Sequence, residues 1–184
     1  MGRSLWSAAV RSALYLSRAT ALAAALGLAT AAHGHDVEGF VVSVQDGDTL
    51  TVLDRAKAQH RVRIAGIDAP EKAQPFGEAS KAGLAQLAFG KRVAAHCRKH
   101  DRYGREVCTV YVGERDVGLE QVRNGLAWWY REYAREQTPA DRLTYEGVEL
   151  EARHARRGLW RDPNPLPPAE WRKQHGRALH APAA

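Results

Sequence analysis

Three charged side chains lie close together in the segment Arg63–Glu71, which reads Arg-Ile-Ala-Gly-Ile-Asp-Ala-Pro-Glu. Its apolar residues are typical of a short strand, and Pro70 near its end is typical of a turn. Near that turn, Asp68 could bind a cation, Glu71 could activate a water and Arg63 could grip an anion. Phosphodiester hydrolysis requires all three of these tasks. The segment therefore predicts a site for phosphate chemistry.

Two further aspartates flank a glycine in Asp46-Gly47-Asp48. Asp-Gly is common in hairpin turns, so simple solvation of the turn is one interpretation. The other is metal binding, because Asp68 lies at the far end of the adjacent predicted strand pair, where it could meet Asp48. Two carboxylates, a main-chain carbonyl and waters would form an all-oxygen shell suited to Ca²⁺ or Mg²⁺. The histidines and cysteines of the chain have no zinc-binding spacing.

The other charged candidates each have an ordinary structural interpretation beside the functional one. Glu71 is either a solvated loop glutamate or a carboxylate that orients or deprotonates an attacking water. Arg63 is either an exposed strand arginine or a guanidinium whose fork matches two phosphate oxygens. Arg105, at a turn before the fifth predicted strand, is the candidate for a second phosphate contact.

Five short strands and three helices must position these residues. Alternating apolar and β-branched residues predict strands over Phe40–Val44, Thr49–Leu53, His60–Ile67, Arg92–Cys97 and Glu106–Val112. Helical spacing and capping residues predict helices over Gly77–Phe89, from Asp116 to Asn124 and from Thr138 to Gly158. A helix between the third and fourth of five strands matches an α+β fold built on an OB-type barrel.

Residues 1–34 have the composition of an export signal, with three arginines and no acidic residue. The run Ala19–Ala32 is short and only weakly hydrophobic, which disfavours the alternative of a retained membrane anchor. Small residues at Ala32 and Gly34 favour cleavage after one of them. We therefore expect an exported protein, periplasmic or secreted, without stable membrane association once the signal is removed.

The net charge indicates which kinds of partner are compatible with the chain, and the cysteines must be read together with its redox compartment. The formal net charge is +6 and falls to +3 without the three signal arginines, which is compatible with a polyanionic partner but not diagnostic of one. Cys97 and Cys108 flank a predicted hairpin and would face an oxidising compartment. A cross-strand disulfide and two buried thiols are both open alternatives at this point.

Several of these segments together resemble the staphylococcal nuclease (thermonuclease) family. The segments are Asp46–Thr49, Arg63–Glu71, Tyr103–Arg105 and Val122–Ala127. They occur in the same order as in the family and at similar spacings. The tail segments Gly158–Trp160, Pro167-Pro168 and Trp171-Arg172 resemble the family's exported bacterial members. The resemblance implies an OB-fold barrel with three helices. It also implies Ca²⁺-dependent hydrolysis of DNA and RNA that leaves 3′-phosphate ends.

The resemblance also implies one Ca²⁺ site. Asp48 and Asp68 would be its carboxylate ligands, and the main-chain carbonyl of Ala69 would be another ligand. The family often has threonine at this last position, but a carbonyl ligand does not need the hydroxyl. Asp46 would support these ligands from outside the metal shell.

The remaining roles implied by the resemblance concern the substrate. Glu71 would be the general base, and Arg63 and Arg105 would be the phosphate-binding catalytic pair. Tyr103 matches a nucleotide-contacting tyrosine of the family. For Trp128-Trp129, which do not align with a stacking residue of the family, core packing is the expectation.

We expect residues 35–161 to form the nuclease domain of a monomer. Residues 162–184 carry five of the eight prolines and are predicted to be extended, with disorder after about Lys173. A catalytically silent OB-fold nucleic-acid-binding module is the main rival hypothesis, and a secreted structural or adhesion domain is a third. The sequence leaves open whether DNA or RNA, and single or double strands, are preferred.

Overall fold

The computed structural model describes residues 34–178 of the chain. The predicted export signal lies outside these residues except for Gly34, and so does the end of the tail from residue 179. No helix within residues 34–178 is long and apolar enough to cross a membrane.

The described residues are organised around a closed β-barrel. Its strands and the short strands beside it are β1 (His35–Val44), β2 (Thr49–Asp54), β3 (Gln59–Ile64), β4 (Ile67–Asp68), β5 (Arg92–His100), β6 (Glu106–Val112), β7 (Arg115–Asp116) and β8 (Trp128–Trp129). Strands β1, β2 and β3 form an antiparallel meander, β1 also pairs with β5, and β5 pairs with β6. A parallel pairing of β3 with β6 closes the ring of five strands. The predicted five-stranded OB-type barrel of the α+β class is confirmed.

The core lies inside the barrel, where alternate residues of each strand point inward. The buried apolar side chains of the five strands include Val37, Val41, Leu50, Val52, Val62, Ile64, Val93, Ala95 and Val110. Burial of one such valine, leucine or isoleucine side chain contributes roughly 1.5–3 kcal/mol to folding. Cys97 and Cys108 lie opposite each other on β5 and β6 and form a disulfide, which resolves the alternative that the sequence left open.

The described part of the chain has four α-helices. They are α1 (Gly77–Ala88), α2 (Val117–Arg123), α3 (Pro139–His154) and α4 (Pro168–Ala178). The Asp116 carboxylate caps α2 by accepting hydrogen bonds from the N–H groups of Gly118 and Leu119, as predicted. Thr138 caps α3 in the same way through the N–H of Asp141. Helix α3 ends at His154, before its predicted end, and Arg156 beyond it adopts a positive φ of 50°.

The C-terminal segment differs from the predicted extended tail. Residues Pro168–Ala178 form α4, a helix beyond the three that were predicted. Proline is tolerated at the start of a helix because its missing N–H has no partner there, and Glu170 adds an acidic residue to the first turn. Pro163, Pro165 and Pro167 thus precede a helix, and Pro168 begins it.

Candidate active site

A cleft of about 730 Å³ on the barrel is lined by every residue that the sequence predicted for the site. These residues are Asp46, Asp48, Arg63, Asp68, Ala69, Glu71, Tyr103 and Arg105. They come from the β1–β2 turn, strand β3, the segment around β4 and the turn before β6. The structure therefore brings the segments Asp46–Thr49, Arg63–Glu71 and Tyr103–Arg105 together in one cleft.

The carboxylate of Asp48 is fixed by its neighbours in the β1–β2 turn and beyond. Its Oδ1 accepts a hydrogen bond from Thr49 Oγ1 at 2.9 Å, and its Oδ2 accepts one from the N–H of Ala69 at 3.3 Å. The N–H of Asp48 in turn donates to Asp46 Oδ1 at 3.0 Å. The bond to Ala69 joins the two predicted metal-binding segments directly.

Helices α1 and α2 hold the same turn from behind, at Gly47. The buried amide of Gln121 donates to the carbonyl oxygens of Gly47 at 2.9 Å and Ser80 at 3.0 Å. A Cβ atom at position 47 would lie 1.8 Å from Ser80 Oγ. Only glycine allows the turn to approach α1 this closely.

Asp68 is held by the short pair of strands β4 and β8. Ile67 pairs with Trp129 and Asp68 with Trp128, and both tryptophans are buried, which confirms the expectation of core packing. The N–H of Trp129 donates to Glu149 Oε1 of α3 at 3.0 Å. Glu149 is fully buried, and its other oxygen pairs with two arginines, Arg131 at 2.8 Å and Arg153 at 3.2 Å.

The guanidinium of Arg63 lies beside the aspartates. Its Nη2 is 3.1 Å from the carbonyl oxygen of Ile67, 3.5 Å from Asp68 Oδ1 and 3.6 Å from Asp48 Oδ2. Its side chain is only 15% exposed, so the charge acts in a partly desolvated setting, where electrostatic interactions are stronger than in water.

Arg105 reaches the cleft from the turn before β6, and Asp101 shapes that turn. Asp101 Oδ1 accepts from the N–H groups of Tyr103 at 2.8 Å and Arg105 at 3.0 Å, and Oδ2 accepts from Arg105 Nε at 2.7 Å. Arg105 Nη1 donates to Thr49 Oγ1 at 3.0 Å. Since Thr49 also bonds Asp48, one hydroxyl connects the second arginine to the predicted metal site.

The electrostatics of the aspartates favour a bound cation. Burial and the charge of Asp48 raise the pKa of Asp46 to about 6. Burial also raises the pKa of Asp68, although Arg172 and Arg63 lie nearby. Crowded, partly desolvated carboxylates are stabilised in their charged form by a cation, and the donor atoms here are all oxygens. The residues present therefore fit a hard divalent cation.

Aromatic side chains also line the cleft. Tyr103 is 64% exposed, and its ring lies 5.6 Å from Arg105 Cζ. Tyr130 lies 5.5 Å from Arg63 Cζ and contacts Tyr133, at 4.8 Å between ring centroids. Such rings are suitable for stacking with bases. Sequence reasoning missed Tyr130 and Tyr133, although the aromatic run that begins at Trp128 was the available signal.

Arg172 is the largest departure from the predicted site. It comes from α4 and forms ion pairs with Asp68 at 3.1 Å and Glu71 at 2.8 Å. Its only sequence signal was the resemblance of the tail to exported family members, which assigned it no role.

Comparison with known proteins tests the family. The profile of the family described as staphylococcal nuclease homologue matches residues 61–162. The chain belongs to the staphylococcal nuclease family. A relative named micrococcal nuclease, from Shigella flexneri, is 40% identical over 173 residues, which are 89% of this chain and 96% of that protein. An uncharacterized endonuclease from Haemophilus influenzae is 40% identical over 134 residues, covering 73% of this chain and 72% of that protein.

A third relative, protein ParB from Escherichia coli, is 40% identical over 166 residues, which are 85% of this chain and 90% of that protein. These matches confirm the family that the sequence resembled. The staphylococcal nuclease profile ends at residue 162, so α4 and Arg172 lie beyond it.

Proposed function

We propose that this chain is an exported, monomeric, Ca²⁺-dependent endonuclease that hydrolyses DNA and RNA with little sequence preference and leaves 3′-phosphate ends. Nuclease activity, which is phosphodiester hydrolysis, is supported by the family and by relatives named micrococcal nuclease and endonuclease. The observation that carries the proposal is the convergence of Arg63, Arg105 and the carboxylates in one cleft.

The metal would be held by Asp48, Asp68 and the main-chain carbonyl of Ala69. Bound there, Ca²⁺ would supply positive charge that neutralises and holds the scissile phosphate. Asp46 supports this site through its hydrogen bond from the N–H of Asp48. Fixed carboxylates of this kind lose little conformational freedom when a cation binds.

The remaining chemistry falls to side chains of the chain itself. The Glu71 carboxylate lines the cleft and is 41% exposed, so water can reach it and transfer a proton to it. The attacking oxygen then approaches phosphorus in line with the departing 5′-oxygen. Arg63 and Arg105 donate hydrogen bonds to the phosphate oxygens, whose charge grows as the fifth bond forms. Contacts to phosphate carry no sequence information directly, which supports weak sequence preference.

Export is proposed on the composition of residues 1–34. The disulfide between Cys97 and Cys108 supports it, because disulfides persist mainly in oxidising compartments outside the cytosol. Expression of the full chain in a bacterium, with detection of the processed chain in the periplasm or medium, tests this part. Retention of the unprocessed chain in the cytosol would contradict it.

Digestion of supercoiled plasmid with Ca²⁺, repeated with a chelator, tests the reaction. We expect cleavage only with the ion, and 3′ ends that a DNA polymerase extends only after phosphatase treatment removes the 3′-phosphate. Arg63→Ala, Arg105→Ala and Glu71→Ala should each lower the rate roughly 10²–10³-fold, because each removes one preorganised charged group.

Arg115→Ala is the matched control for these substitutions. Arg115 is exposed on β7 and forms no ion pair within residues 34–178, so its loss should leave cleavage unchanged. Circular dichroism checks that each variant folds. If the folded triple variant kept wild-type activity, the assignment of the three residues would be wrong. Binding of nucleic acid without cleavage under any divalent ion would instead indicate a silent binding module.

A further inference from the structure

Arg172 of α4 joins two carboxylates that the proposed mechanism uses for different tasks. Its Nη2 is 3.1 Å from Asp68 Oδ2, and its Nη1 is 3.3 Å from Asp68 Oδ1 and 2.8 Å from Glu71 Oε1. The guanidinium thus covers both oxygens of Asp68 and one oxygen of Glu71. Among the described residues, it is also the sole side chain in hydrogen-bond contact with the Glu71 carboxylate.

The chain that leads to Arg172 is itself anchored to the loop that carries Glu71. The side chain of Gln74 is buried and donates to the carbonyl oxygen of Leu166 at 2.5 Å. Its Oε1 accepts from the N–H of Glu71 at 3.1 Å, and its own N–H donates to the Glu71 carbonyl oxygen at 2.8 Å. One glutamine therefore fixes both the Glu71 loop and the segment that precedes α4, so Arg172 approaches from a held position.

The Asp68 oxygens that the guanidinium contacts are also the oxygens that a bound metal ion would need as ligands. The Asp68 side chain is only 6% exposed, and Arg172 contacts both of its oxygens. A cation and a guanidinium cannot share these lone pairs without strong repulsion, because like charges a few ångströms apart repel strongly in a partly desolvated site. Without either, Arg63 would be the positive charge left beside Asp68 and Asp48, and it would only partly offset the repulsion between the carboxylates.

We propose that Arg172 is a positioning residue of the active site, which holds Asp68 and Glu71 together before the metal binds and competes with the metal for Asp68. This inference rests on the proposed function, since it takes Asp68 to be a metal ligand. It makes α4 part of the active site, and it predicts that metal affinity depends on a residue outside the matched family profile.

Calorimetric titration of the full-length mature protein with Ca²⁺ alone tests the proposal. Arg172→Ala should bind Ca²⁺ roughly ten- to hundredfold more tightly than the wild type, because charge-assisted hydrogen bonds no longer oppose binding. Arg172→Lys should bind with intermediate affinity, because an ammonium keeps the charge but cannot bridge two carboxylates as a planar fork does.

Lys173→Ala is the matched control. Lys173 is the next residue of α4, is exposed and makes no ion pair in the described part of the chain, so its variant should keep the wild-type affinity. Thermal unfolding with and without Ca²⁺ gives a second reading, in which Arg172→Ala should be stabilised more by the ion than the wild type. Circular dichroism of the metal-free proteins checks that every variant is folded.

Each outcome decides something different. If folded Arg172→Ala binds Ca²⁺ as tightly as the wild type or more weakly, Arg172 does not compete with the metal for Asp68. If Lys173→Ala gains as much Ca²⁺ affinity as Arg172→Ala, the gain is a general effect of lost positive charge, and the proposal is also overturned. If the wild type nevertheless binds Ca²⁺ and cleaves plasmid, the proposed function is retained and only the inference about Arg172 fails. If neither the wild type nor the variants bind Ca²⁺, both this inference and the Ca²⁺ dependence fail.

Discussion

Gly47 shows how strongly single residues constrain the site. Gly47→Ala should destabilise the protein by about 1–3 kcal/mol, because the added Cβ would lie 1.8 Å from Ser80 Oγ and 2.7 Å from the Cβ of Ala69. The β1–β2 turn must then move away from α1 and carry Asp48 with it. A displacement of about 1 Å at a catalytic group costs roughly 10²-fold in rate. Urea unfolding and plasmid cleavage measure the two effects.

Gly147→Ala is the opposite case in the same protein. Gly147 lies on the exposed face of α3 with nothing within 4 Å of an added Cβ, so alanine should stabilise the helix by about 0.5–1 kcal/mol. Cleavage should not change. If Gly47→Ala were as stable and active as Gly147→Ala, the close approach of the turn to α1 would not matter for the site.

The sequence predicts residues of the site well where they are close together along the chain. Arg63, Asp68 and Glu71 lie within one strand and turn, so their proximity follows from local geometry. Asp48 could be added because antiparallel pairing fixes which ends of neighbouring strands meet. Arg172 could not, because its contact with Glu71 spans 101 positions and no local pattern encodes it.

Among the elements, α3 supports the site through Glu149. Glu149→Ala should cost about 1–3 kcal/mol, because the buried N–H of Trp129 loses its acceptor. The side chains of Arg131 and Arg153 are nearly half exposed, so water can solvate them when the carboxylate is absent. Loosening of β8 should also loosen β4 and Asp68, and the rate of cleavage should fall. Chemical unfolding and initial rates are the measurements.

Glu149→Gln separates the hydrogen bond from the charge. The amide oxygen can still accept from Trp129, so this variant should be more stable than Glu149→Ala and closer to the wild type in rate. Equal losses in the two variants would show that the ion pairs with the arginines, rather than the bond to Trp129, hold β8 in place.

The elements differ in how well the sequence predicts them. The five barrel strands are long enough for alternation to be visible, and the α2 and α3 caps are local patterns. The pair of β4 and β8 has two residues in each strand, which is too short for any periodicity. Helix α4 was missed because the prolines before it dominated the composition, although Pro168 and Glu170 are the usual residues of a helix start.

On the scale of the whole molecule, a histidine on the barrel wall links stability to pH. His60 on β3 contacts Glu106 of β6 at 2.9 Å and Asp54 of β2 at 3.2 Å. The hydrogen bond to Glu106 and, after it, the one to Asp54 raise the pKa of His60 above its ordinary value of 6.5. Protons therefore bind more tightly to the folded state than to the unfolded state.

This linkage has a definite sign. The stabilisation from His60 is fully present below pH 6.5 and is lost as the pH rises through the folded-state pKa. The free energy of unfolding should thus fall between about pH 6 and pH 8 more steeply in the wild type than in His60→Gln. His154→Gln is the control, since His154 is exposed and has no ion pair in the part of the chain that the structure describes. Identical pH profiles of wild type and His60→Gln would refute the linkage.

The parallel pairing of β3 with β6 also bears on how the protein folds. It aligns Val62 with Glu106, so its two partners are separated along the chain by β4, α1 and β5. Pairings between segments so far apart along the chain carry a loop-closure entropy cost and are slower to form than local contacts. Arg63 and Arg105 stand on either side of this seam. The contact that completes the barrel is therefore also the contact that brings both arginines into one cleft, and a chain whose barrel is still open would have only half of the proposed phosphate-binding site.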